Sequence, residues 1–120
     1  MVDDVALRAR DPDASRRFSG AALAPLGFGL LYTGEEQARF GVDAASRGAD
    51  DFWILAGEGP AIGVHVAFAA GARATVDALH RAALGVGGPD DGAPGLRREY
   101  PPGCYAAFVF DPNGSNVEAV

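Results

Sequence analysis

The sequence predicts an α+β fold of two βαβββ modules in tandem, whose sheets form a half-barrel cavity. The first observation behind this is internal repetition. "DVALRARDPDASRRFSGAALAPLG", residues 4–27, aligns without a gap on "HVAFAAGARATVDALHRAALGVGG", residues 65–88, at a constant offset of 61 residues. A unit of this length present twice makes two homologous modules rather than a solenoid. The second observation is order: each copy reads as a short strand, a loop, a helix and a glycine stop. The third is the run of further strand-like pieces after each helix, closing in module two with strand, turn and strand.

Each element has a local reason. "DVALRA" and "HVAFAA" have strand length and alternate large with small or polar side chains. In "DPDASRRFSGAALAPL", Asp11 is the expected N-cap and Pro12 the first helical residue, with Phe18, Ala22 and Leu26 on one face. "RATVDALHRAAL" places Val76, Leu79 and Ala83 on one face, and the glycines from Gly85 to Gly88 end it. The strands expected after the first helix are "FGLLYT", "ARFGVD" and "DFWILA". After the second helix come a Gly/Pro-rich loop, "CYAAFVF", the hairpin turn "DPNG" and "NVEAV". The "PDDG" run reads as a solvated loop, and "GEGPAI", residues 57–62, as the linker. The domain reading is a single domain over residues 1–120, with module one about 1–58 and module two about 63–120.

Composition narrows function. The chain of 120 residues is 48% hydrophobic, enough for a core, and carries a net charge of −6. An acidic surface argues against nucleic acid as partner, since phosphate binding needs basic side chains. The sequence contains no apolar run long enough to span a bilayer, so no membrane partner is expected. The start "MVDDVALRARDPD" has acids where a signal peptide has bases, so the expected location is the cytoplasm. Cys104 is the sole cysteine, which excludes an intrachain disulfide and a cysteine zinc cage. It reads as a small apolar residue.

The histidine inside "AIGVHVAFAA" is the first candidate for chemistry. Strand alternation puts Val64, Val66 and Phe68 on one face and His65, Ala67 and Ala69 on the other. In the first copy Val5 and Leu7 oppose Asp4, Ala6 and Arg8. In the last strand Val117 and Ala119 oppose Asn116, Glu118 and Val120. Large aliphatics thus occupy the face a helix covers, while Asp4, His65 and Glu118 lie among small side chains. That pattern fits a cavity with converging polar groups. The plain alternative is a buried histidine bonded to a carbonyl.

With the repeat, the stretches "VDDVALRARDPDASRRF", "AALAPLGF", "FGVDAASRGADDFWI" and "HVAFAA", and the ending "FVFDPNGSNVEAV", the whole chain resembles the vicinal oxygen chelate superfamily. That superfamily includes glyoxalase I, extradiol dioxygenases, methylmalonyl-CoA epimerase and the bleomycin- and fosfomycin-resistance proteins. The resemblance implies metal ligands on the first and last strands of each module: Asp4, a position near Ile54, His65 and Glu118. Asp4 stands where members usually carry histidine, and "DFWIL" offers apolar side chains where a fourth ligand is usual. Asp4, His65 and Glu118 would make one nitrogen and two oxygen ligands, a set suited to Mn, Mg or Fe, with Zn and Ni also open.

The resemblance therefore implies a divalent-metal-dependent enzyme of lyase, isomerase or dioxygenase type acting on a small oxygenated metabolite, lactoylglutathione lyase-like or dioxygenase-like. Glu118 or Tyr105 would handle a proton. The alternative is a metal-free protein that sequesters a drug or metabolite, as bleomycin-resistance proteins do. Tyr100 and Tyr105 flank "PPGC" at the expected cavity mouth; Tyr105 is either a donor toward substrate or an ordinary strand aromatic. Arg97 and Arg98 either bind an anionic substrate or lie in a solvated loop. Trp53 and Phe52 either line the cavity or pack in the core. His80, within the second helix, reads as structural or surface. The resemblance further implies a homodimer.

Overall fold

A computed structural model of the chain describes residues 4–42, 51–58, 64–98 and 103–120. Module one runs β1 (Asp4–Ala9), α1 (Pro12–Leu23), a short 3₁₀ turn (Ala24–Leu26), β2 (Gly29–Thr33), β3 (Gln37–Gly41) and β4 (Asp51–Ala56). Module two runs β5 (His65–Phe68), α2 (Arg73–Gly85), β6 (Asp90–Leu96), β7 (Tyr105–Phe110) and β8 (Asn116–Ala119). Each module folds into one 4-stranded sheet, in the orders β1-β4-β3-β2 and β5-β8-β7-β6. Within each sheet the first strand lies parallel to the last, and the remaining pairs are antiparallel.

The local signals act as expected. Asp11 caps α1 by accepting from Ala14 N at 3.1 Å, and Pro12 begins the helix. Gly27, at φ 84°, turns the chain out of the 3₁₀ segment in the left-handed region that side chains disfavour. The helical faces are buried where periodicity put them: Phe18 and Ala22 in α1, and Val76, Leu79 and Ala83 in α2. One element differs. "DDGAPGL", residues 90–96, is a strand rather than a loop. It pairs only with β7 and breaks register twice, between Asp90 and Gly92 and between Gly92 and Gly95. An edge strand tolerates a proline and glycines that an interior strand would not, because one side needs no ladder donors.

The two sheets turn their helix-covered faces into one apolar cluster. Phe68 of β5 packs edge-to-face on Phe52 of β4 at 5.4 Å and meets Phe28 at 6.0 Å. The Phe18 ring of α1 and the Val109 side chain of β7 both close on Gly88 of module two. The strands of the two sheets do not close into a barrel. Each sheet instead leaves its other face turned outward, and that of the second sheet holds His65 and Glu118.

Candidate functional site

The outward face of the second sheet gathers the chemistry. Its register sets His65 beside Asn116, and Ala67 beside Glu118, which in turn pairs with Phe108. Paired residues share a face, so His65, Asn116, Glu118 and Phe108 project together. The turn before β8 fixes that strand. Asp111 accepts from Asn113 N at 2.9 Å and Ser115 N at 2.8 Å, and Gly114 adopts φ 78°. Asn113 Nδ2 donates to the buried Ser15 Oγ at 3.0 Å, tying the turn to α1. Burial pushes the Asp111 carboxyl above its ordinary range, although these amides oppose the shift.

His65 makes two side-chain contacts. Its Nε2 lies 2.9 Å from Glu118 Oε2, and its Nδ1 lies 2.5 Å from Asn116 Oδ1. Asn116 Nδ2 donates to Asp91 Oδ2. The Glu118 side chain is 9% exposed and that of His65 is 53% exposed, so the carboxylate forms the floor and the imidazole the accessible wall. The His65 ring lies 6.2 Å from the Phe108 ring. Arg97 places its guanidinium 5.2 Å over the other end of this surface, also on Phe108, and donates from Nη2 to Ala93 O at 2.7 Å. A Cβ on Gly92 would come 3.1 Å from Phe108 Cδ2 and 3.2 Å from Arg97 Nη2, so the absent side chain makes room for this stack.

Module one presents a different surface at the equivalent positions. Asp4 pairs with Asp51 and Ala6 with Trp53, as His65 pairs with Asn116 and Ala67 with Glu118. The counterpart of Glu118 is therefore Trp53. Trp53 is thus the position near Ile54, and Ile54 itself faces the core at 1% exposure. Phe52 likewise belongs to the core. Trp53 is half-buried with the Arg39 guanidinium 5.9 Å from its ring centroid, and Arg39 Nε donates to Asp51 Oδ2 at 2.5 Å. A cleft of about 520 Å³ continues this face, with Arg8, Tyr32, Gln37 and Leu55 in its walls.

The structure thus brings His65, Glu118 and, through Phe108, Arg97 to one surface. Tyr105 is not among them. It alternates with Ala107 and Val109 and so faces α2, where its hydroxyl donates to Asp77 Oδ1 at 2.5 Å and Arg73 stacks on its ring at 5.2 Å. The Asp77 carboxylate pushes its phenol above the ordinary range. Tyr100 lies outside the described residues. The Asp4 backbone is in β1, but its side chain also lies outside them. His80 is structural: buried in α2, its Nε2 is 2.9 Å from Asp90 Oδ1. Sequence reasoning missed Phe108, Asp91 and the Arg39–Asp51 pair. Asn116 was legible as a neighbour of Glu118 on the same face, but its contact with His65 needed the register of β5 on β8.

The residues fit a divalent cation in part. An imidazole Nε2 and a carboxylate converge, and the other ring nitrogen is held by a hydrogen bond, the usual support of a ligating histidine. Among the described residues no three His, Cys, Asp or Glu side chains converge closely enough to hold a metal ion, so these residues supply two donors.

No protein-family profile matches the chain, and no curated protein matches it in sequence. In structure it is similar to a glyoxalase/bleomycin resistance protein from Albidiferax ferrireducens T118, at 26% identity and a TM-score of 0.81, over 99% of this chain and 96% of that one. It is similar in fold to lactoylglutathione lyase from Agrobacterium tumefaciens, at 20% identity and a TM-score of 0.70, over 99% and 91% of the two chains. A glyoxalase/bleomycin resistance protein/dioxygenase family enzyme from Burkholderia phytofirmans PsJN gives 18% identity and a TM-score of 0.72, over 98% and 94%. The chain thus has the paired βαβββ fold of these glyoxalase/bleomycin-resistance and dioxygenase-family structures, the fold that the resemblance of its sequence to the vicinal oxygen chelate superfamily implies.

Proposed function

We propose that the outward face of the second sheet is a small-molecule site, and that the chain is a divalent-metal-dependent enzyme acting on a small oxygenated metabolite. The observation that carries this reading is the convergence of His65 Nε2 and Glu118 Oε2 at 2.9 Å, with Nδ1 engaged by Asn116. His65 and Glu118 would hold the cation, and Asp4, the counterpart of His65 in module one, would supply the third ligand from the first sheet of a partner copy laid over this face. A bound divalent cation supplies Lewis-acid stabilisation of an oxyanion or enolate. The chain's own residues bind and orient. Arg97, laid on Phe108, recognises an anionic or planar part of the substrate. Glu118 is the proton-handling group, since the Tyr105 hydroxyl is committed to Asp77 on the opposite face.

Homodimerisation belongs to this reading. Covering the second sheet's outward face with the partner's first sheet would bring a wall of the Trp53 kind over His65 and Glu118. A cytoplasmic setting belongs to it too; among the described residues no helix is long and apolar enough to cross a membrane.

The second reading, a metal-free binding protein for a drug or metabolite, is favoured by Trp53. An aromatic stands where a fourth ligand would, above a guanidinium already paired with Asp51. Thermal unfolding with excess Mn²⁺, Fe²⁺, Ni²⁺, Zn²⁺ or Mg²⁺ separates the two. A cation at about 100 times its Kd adds about 2.7 kcal/mol of stability. The metal reading expects such a rise for one ion in the wild type and none in Glu118→Ala. No rise with any ion leaves the binding-protein reading in its place.

A further inference from the structure

The metal reading leaves the cleft at the far end of the first sheet unused, and its chemistry differs from that of the second sheet. Arg8 of β1 pairs with Leu55 of β4, and Leu55 with Gln37 of β3, so these three side chains form one row on the outward face. Tyr32 of β2 stands in the neighbouring row, beside Arg39. The β2–β3 turn closes the edge of the cleft with Glu35 and Glu36. That turn is held at both ends: Gly34 N donates to Gln37 O at 2.8 Å, and Ala56 N donates to Glu36 O at 2.6 Å.

Two glycines clear the space. A Cβ on Gly57, which sits at φ 151°, would lie 3.2 Å from Arg8 Nη1, and one on Gly34 would lie 3.0 Å from the Tyr32 hydroxyl. The repeat does not supply this cleft twice. At the offset of 61 residues Ala69 stands where module one has Arg8, so the guanidinium belongs to module one alone. Among the described residues, neither Arg8 nor Glu35 nor Glu36 takes part in an ion pair. A guanidinium and two carboxylates thus line one cleft of about 520 Å³ without neutralising each other. A simple anion placed there meets Arg8 but is repelled by the glutamates. A simple cation meets the glutamates but is repelled by Arg8. A molecule that carries both charges satisfies all three groups.

We infer that this cleft binds a small zwitterion, an α-amino acid with an apolar side chain. The Arg8 fork takes the carboxylate and the two glutamates take the ammonium. Leu55 and the Tyr32 ring supply apolar surface for the side chain. Arg8 follows Asp4 by four residues along β1, about 13 Å at the rise of a strand. The cleft is therefore separate from the proposed cation position and uses neither His65 nor Glu118.

The test is a ¹H–¹⁵N NMR titration of the full chain in metal-free buffer with L-phenylalanine, N-acetyl-L-phenylalanine and L-phenylalanine amide. At about pH 6 these are a zwitterion, an anion and a cation of similar shape, and the glutamates are ionised. The wild type is expected to give saturable shifts with L-phenylalanine at the amides around the cleft, those of Gly34, Gln37, Ala56 and Gly57. Each blocked compound is expected to bind at least about fivefold more weakly, the worth of one exposed ion pair. Arg8→Gln is expected to reverse the preference, so that the cationic amide binds best. Glu35→Gln with Glu36→Gln is expected to favour the N-acetyl anion instead. Loss of folding would abolish binding of all three compounds rather than exchange their order, and the amide spectra check each variant. No saturable shift with any of the three, shifts confined to another face, blocked compounds that bind as well as the zwitterion, or an order unmoved by these variants overturns the inference. If the zwitterion binds as expected and the second sheet takes up no cation, the metal reading fails while this one stands.

Discussion

Module one holds an ion pair where module two holds its candidate site, and that pair makes a sharp prediction. Asp51 has 0% side-chain exposure and Arg39 18%, with Nε and Oδ2 2.5 Å apart. Arg39 Nη2 and Asp51 Oδ1 are buried without a hydrogen-bond partner. Removing one partner of a buried pair strands the other charge and costs about 3–5 kcal/mol. Arg39 retains some access to water, so Asp51→Ala belongs at the lower end, about 3 kcal/mol. Replacing both by apolar residues, as in Arg39→Met with Asp51→Leu, removes the desolvation of both charges. It also removes the two unpartnered polar atoms, each worth about 1–3 kcal/mol when left buried. The new leucine must settle against Gly41, where Asp51 Oδ1 now lies 2.6 Å from the position a Cβ would take. The double variant is therefore expected within about 1 kcal/mol of the wild type or above it. Urea unfolding of the wild type, both single variants and the double variant gives the cycle. A loss below about 1 kcal/mol in Asp51→Ala would mean the pair behaves as an exposed one and would refute the reasoning.

Other outcomes rest on named contacts. Gly88→Ala is expected to destabilise by about 1–3 kcal/mol through overpacking, since its Cβ would lie 2.7 Å from Phe18 Cε2 and 2.9 Å from the backbone oxygen of Ala83; urea midpoints check it. The hydrogen bond with His80 holds the Asp90 carboxyl below its ordinary value of 3.8, so the native chain binds fewer protons than the unfolded one in acid. That contribution is complete above the ordinary value and is lost as pH falls through the lowered one. Asp90→Asn should therefore flatten the acid limb of a stability-against-pH curve. Tyr105→Phe breaks the bond to Asp77 on the helix-covered face and is expected to leave ligand affinity at the second sheet unchanged, as titration calorimetry with the responding cation or ligand would show.

Much of the fold was legible in the residues, and the rest fails to be legible for physical reasons. The repeat, the capped α1 and the periodic burial of α2 come from local propensity and from one apolar face per element. His65 and Glu118 fell on one face by alternation alone. Tyr105 was readable in the same way, because it alternates with Val109, but the cavity-mouth expectation outweighed that parity. β6 was not readable: Gly92, Pro94 and Gly95 carry no strand propensity, and pairing with β7 alone makes them extended. Arg39 and Asp51 lie on neighbouring strands, so their contact exists only once β3 and β4 are in register. The same holds for the link from Asp91 through Asn116 to His65, which joins β6, β8 and β5.

The central claim is that His65 and Glu118 form a cation-holding site on the second sheet. Its most direct test is elemental mass spectrometry of the untagged protein, purified without chelators, beside Glu118→Ala and His65→Ala. The expected result is a divalent metal near one equivalent per chain in the wild type and its loss in both variants, with folding intact. Metal-free wild-type protein that takes up no Mn²⁺, Fe²⁺, Ni²⁺, Zn²⁺ or Mg²⁺ on titration would contradict it, as would metal retained in both variants.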